Sequence, residues 1–148
     1  MLNKIIAGTA VACLMTTSVA SADEVWQVVN SEQTIVYEQD LEGTDIAVLK
    51  YGNVRLYIDG LAGVYENRRT FYRGVWLADE DSRYDDIPEY SCLTELKRPG
   101  SEETRQVWGP VALTFVKRDF PSMIALRTGS CFSEGDSAVV AEPVLGGE

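Results

Sequence analysis

Val107-Trp-Gly-Pro-Val-Ala-Leu-Thr-Phe-Val-Lys-Arg-Asp-Phe-Pro-Ser-Met-Ile-Ala-Leu-Arg-Thr-Gly-Ser-Cys-Phe132 reads as a β-hairpin. Val111, Leu113 and Phe115 fall on one side of a first strand, and Ile124 and Leu126 on one side of a second. That is the two-residue period of a half-buried sheet. Between them Arg118-Asp119-Phe120-Pro121 is turn chemistry, because Asp can bond its own backbone and Pro fixes φ and has no N–H for a central ladder. Cys131 ends the second strand where a bridge to Cys92 would hold the hairpin against the rest of a sheet.

Working outward, the residues before this hairpin alternate between short β-rich runs and turn residues. Strands are predicted over Val25–Val29, Gln33–Glu38, Asp45–Tyr51, Val54–Ile58 and Arg69–Leu77, with turns at Asp40-Leu41-Glu42-Gly43 and Gly52-Asn53. Connections this short join antiparallel neighbours, since a parallel crossover needs a dozen or more residues. Asp79 to Glu89 reads as an acidic surface loop ahead of a strand around Glu89 to Leu96, and Lys97 to Glu103 as a second exposed connection. Gly109-Pro110 predicts a bulge or corner. Residues 133–148, rich in Ser, Gly, Asp, Ala and Pro around a Val139-Val140 patch, read as a loosely ordered tail. The fold class is therefore all-β: residues 23–132 form one domain, a small antiparallel β-barrel made of a meander plus a C-terminal hairpin, with a β-sandwich as the alternative. Closure favours the barrel because it leaves no sheet edge open.

The N-terminus reads as an export signal over residues 1–22. Lys4 supplies the positive start, Ile5 to Val19 the apolar run, and Ala20-Ser21-Ala22 the small-residue cleavage site. A lipoprotein signal centred on Cys13 is the competing reading, and it lacks the usual leucine three residues earlier. The expected address is periplasmic or secreted, with no membrane span in the mature chain. Cys92 and Cys131 are then the only thiols left, and an isolated pair in an oxidising compartment is most simply a disulfide. A redox pair would normally show Cys-x-x-Cys spacing, which is absent. The net charge of −10 argues against nucleic acid as a partner. It leaves solubility or capture of a basic partner as its use.

The chain contains no histidine, which removes His-dependent nucleophilic catalysis and imidazole metal sites. Ser133 lacks a nucleophile elbow, and Thr94-x-x-Lys97 matches a nucleophile and lysine spacing only loosely. A glycosidase-type carboxylate pair or a Ca²⁺ site in the acidic loop competes with plain solvation. The protein is thus expected to be non-enzymatic, with no cofactor and no metal. Two constellations remain as binding candidates, for an unknown small molecule or an envelope or secreted protein. The first is an Arg/aromatic sheet face of Arg55, Tyr57, Arg69, Tyr72, Arg73 and Trp76, suited to a sugar, an anion or an acidic surface. Its competing reading sends Tyr72 and Trp76 into a barrel interior and pairs the arginines with acids. The second, the alternative, is an inhibitor or envelope-interaction surface made by Asp79, Asp81, Asp85, Asp86 and Glu89 against a basic enzyme.

Two short stretches resemble known families. Gly60-Leu61-Ala62-Gly63-Val64-Tyr65 is similar to a loop of the periplasmic c-type lysozyme inhibitors, but without its Ser or the Arg before Tyr. Gly74-Val75-Trp76 is similar to the Gly-x-Trp of lipocalins, displaced from the first strand where that motif belongs. Both families are small secreted barrels, and six residues and three residues assign the chain to neither.

Overall fold

Alternation along each strand becomes an inside and an outside. The structure is a computed structural model that describes residues 24–62, 69–80, 91–117 and 122–145. Its strands are β1 (Val25–Val28), β2 (Thr34–Asp40), β3 (Ala47–Tyr51), β4 (Val54–Ile58), β5 (Phe71–Ala78), β6 (Leu96–Lys97), β7 (Thr104–Arg105), β8 (Trp108–Phe115), β9 (Ile124–Ser130) and β10 (Ser133–Pro143). Eight of them close into an antiparallel barrel in the order β1-β10-β9-β8-β5-β4-β3-β2, while β6 and β7 pair separately as an inserted hairpin. The barrel, not the sandwich, is the architecture.

Inward-facing residues fill the barrel axis. Trp26, Ile35, Leu49, Leu56, Ile58, Tyr72, Val111, Leu113, Phe115, Ile124 and Leu126 form one buried cluster, with Trp76 packed against it. An eight-stranded barrel is about wide enough for side chains to fill it. The polar ends of the large aromatics are satisfied inside. The Trp26 indole N–H donates to the Ser122 carbonyl at 2.9 Å and the Trp76 indole N–H to the Gly129 carbonyl at 2.7 Å. The Trp76 bond crosses β8 at Gly109, where a Cβ would stand 2.0 Å from the Gly129 oxygen and 2.6 Å from Trp76 Nε1.

A second buried cluster lies outside the barrel. Val48, Tyr57, Leu77, Cys92 and Trp108, flanked by Leu41, Val75 and Leu96, are packed where residues 91–107 cover the outer face of β3, β4 and β5. The Cys92–Cys131 disulfide, with Cα atoms 5.5 Å apart, ties this cover to the turn between β9 and β10. A charge cluster holds it elsewhere. Asp79 pairs with Lys50 and Arg55, and its backbone carbonyl accepts from Arg105 Nη2 at 2.7 Å. Glu103 meets Arg98 at 3.2 Å and Arg105 at 3.5 Å.

Three expectations are corrected. Residues 133–143 are not a loose tail but β10, which pairs with β9 and β1 and closes the barrel. Gly109-Pro110 makes no corner, because β8 runs straight through it. Pro110 sits opposite Val75, and the ladder to β9 starts only at Val111, so the missing N–H falls at the edge of that ladder. The strand expected over residues 89–96 is, among the described residues, reduced to Leu96–Lys97. The signal segment, the Arg118–Pro121 turn and Tyr65 lie outside the described residues, as do Asp81, Asp85, Asp86 and Glu89 of the acidic loop.

Candidate functional site

The predicted Arg/aromatic face does not hold together. Leu56 pairs with Trp76 and Ile58 with Gly74, whereas Arg55 pairs with Leu77 and Tyr57 with Val75. Arg55 and Tyr57 therefore point outward, while Tyr72 and Trp76 belong to the interior. Tyr72 packs edge-on to Phe115 with ring centroids 5.8 Å apart, and its hydroxyl accepts the Arg69 backbone N–H at 3.0 Å. Arg69 sets its guanidinium 5.3 Å from the Tyr72 ring centre. Arg69 and Tyr72 thus meet at one end of the barrel. Tyr57 lies buried under the 91–107 cover, and desolvation there raises its hydroxyl pKa. Arg55 is spent on Glu38, at 3.0 Å, and on Asp79.

Asp79, the one described member of the acidic set besides the nearby Glu80, is likewise engaged. Burial disfavours its charged form, but the hydrogen bond from Lys50 and the guanidinium of Arg55 outweigh this and hold its carboxyl below the usual range. A carboxylate placed this way serves the fold.

Among the described residues of the predicted sets, Arg73 alone lines an open groove. The strand register aligns two rows of outward side chains across β5, β8, β9 and β10. One row reads Phe71, Thr114, Ala125, Val140; the next reads Arg73, Ala112, Arg127, Ala138. Thr114 and Ala125 lie low between Phe71 and Val140 in the first row, and Ala112 lies low between Arg73 and Arg127 in the second, so the face is concave by composition. A groove of about 510 Å³ results, floored by Pro110, Ala112, Thr114 and Ala125 and bordered by Phe71, Arg73, Arg127 and Glu134. Arg73 holds its guanidinium 5.5 Å from the Phe71 ring centre and meets the exposed Glu134 only at 4.0 Å. Arg127 is exposed, and among the described residues no carboxylate pairs with it.

Sequence reasoning passed over Phe71, Ala112, Thr114, Ala125 and Arg127 as site residues. The signal was present in the opening hairpin: inward positions 111, 113, 115, 124 and 126 are large, while outward positions 110, 112, 114 and 125 are small. Among the described residues no group of three or more acids and cysteines is placed to hold a metal ion. Comparison of the chain with protein families, with characterised proteins and with solved structures finds no significant match, so the groove itself is what speaks for function.

Proposed function

We propose that this chain is an exported, non-enzymatic binding protein that holds a small anionic ligand on the outer face of β5, β8, β9 and β10. The observation that carries this is the pair Arg73 and Arg127 standing on either side of Ala112, in a chain whose net charge is −10. Guanidinium groups present planar forks of donors to carboxylates and phosphates. A groove of this size is within the range of small-ligand sites. The filled axis supports the outer face over the barrel interior as the binding surface. The absence of histidine, and a groove whose ionisable side chains among the described residues are Arg73, Arg127 and Glu134, support binding over catalysis. Export rests on the N-terminal segment and is consistent with the disulfide.

The test is a titration of ¹⁵N-labelled protein with a naphthalene sulfonate, followed by amide shifts. Saturable shifts are expected at Ala112, Thr114, Ala125 and Arg127, weakening as salt screens the exposed charges. Shifts gathered around Asp79 and Glu80, or none at all, would falsify this site.

A further inference from the structure

Resting on that reading, we infer that the groove takes an amphiphilic monocarboxylate, a single carboxylate head on a slim hydrocarbon body, as in a medium-chain fatty acid. Charge sets the head. Among the described residues the lining carries Arg73, Arg127 and Glu134, a balance of two positive charges against one negative. A monoanion matches that excess, whereas a dianion would bring its second charge up against Glu134. Position follows from register. Ala112 lies directly opposite Arg73 on one side and Arg127 on the other. Directly opposed residues have Cβ atoms about 5 Å apart, so the two arginines flank a gap whose floor is one methyl group. A carboxylate seated above Ala112 is within reach of both forks.

The floor sets the body. Pro110, Ala112, Thr114 and Ala125 offer a ring and methyl groups with no upright side chain among them. Along β8 the run from Pro110 to Thr114 is roughly 14 Å at the usual rise per strand residue. A long, thin, flexible chain covers such a strip, and Phe71, 44% exposed, adds an apolar wall at one end. A compact ring system would leave most of the strip wet.

The experiment titrates the purified protein with sodium decanoate, decanol and decyl phosphate, each kept below its micelle concentration, and reads amide shifts. Decanoate is expected to saturate the groove amides and to bind at least tenfold more tightly than decanol. Arg73→Gln and Arg127→Gln should each weaken decanoate about tenfold, the loss of one charge-assisted hydrogen bond. Ala125→Trp, an outward substitution that fills the groove, should abolish binding while leaving the spectrum dispersed. Decyl phosphate binding as tightly as decanoate, or decanol binding equally well, overturns the monocarboxylate assignment. If the naphthalene sulfonate still shifts the groove amides in that case, the anion site stands. If no anion moves them, both fall.

Discussion

Gly109 matters because Trp76 passes over it. With hydrogen in place of a methyl, the indole reaches across β8 to the Gly129 carbonyl; a Cβ there would collide with backbone as well as with the ring. Gly109→Ala should therefore destabilise the protein by about 2–3 kcal/mol, the cost of forced overpacking, seen as a lower urea midpoint. A midpoint equal to wild type would show that Trp76 does not need this crossing. At Asp79 the sign is set by a lowered pKa. Its contribution is present above the unfolded-state value of ~3.9 and is lost as pH falls through the still lower folded value. Asp59 is the opposite case: burial, then the nearby Asp45, raises its pKa, so its ionisation opposes folding as pH rises. At neutral pH Asp79→Asn should lower the melting temperature and Asp59→Asn should raise it slightly. Melting curves that move the same way for both would contradict these assignments.

At the scale of elements, β10 decides whether there is a barrel at all. It pairs with β9 over Ser133–Ala141 and with β1 over Ala141–Pro143. A chain ending at Phe132 would leave both neighbours with open edges and the Trp26 side of the core uncovered. That truncation should yield no dispersed amide spectrum, and a folded truncated protein would show that closure is dispensable. This strand was hard to read from sequence for a physical reason. Its first half is bulged between Ser133 and Ser137, with Gly135 pressed against the Thr128 carbonyl, so no alternation shows until Val139 and Ala141. Where one face meets core and the other stays partly open, the pattern was legible: in β8 Val111, Leu113 and Phe115 are buried and Ala112 and Thr114 between them are not. In β5 it was not. Val75 and Leu77 face the outer cluster beneath the cover, and Tyr72 and Trp76 face the axis. Both sides are apolar, so period-two alternation could not say which was inside. The groove was hidden by the opposite effect, because Ala112, Thr114 and Ala125 contribute by being small, and motif searches look for side chains that carry chemistry.

On the scale of the whole molecule, the chain is a closed barrel plus a cover, and the two are held by different forces. Each barrel strand is hydrogen-bonded to a neighbour on both sides. The cover, residues 91–107, depends on the outer apolar cluster, on the Arg105 hydrogen bonds to the Asp79 backbone carbonyl and on one disulfide spanning a sequence separation of 39. Reduction should cost the whole protein about 4 kcal/mol through loop-closure entropy, but its local effect should be uneven. Hydrogen exchange after reduction is expected to accelerate first at amides in 91–107, while β8 and β9 accelerate only as far as global stability has fallen. Acid should add little to this at the cover, because the Asp79 carboxylate pairs with Lys50 and Arg55 of the barrel, whereas Arg105 of the cover bonds the Asp79 backbone carbonyl, which does not titrate. Equal acceleration in the cover and in β8 and β9 would mean that the two are one cooperative body. Faster exchange confined to the cover would leave the outer face of β5, β8, β9 and β10 intact, so the groove should still bind its anion in the reduced protein.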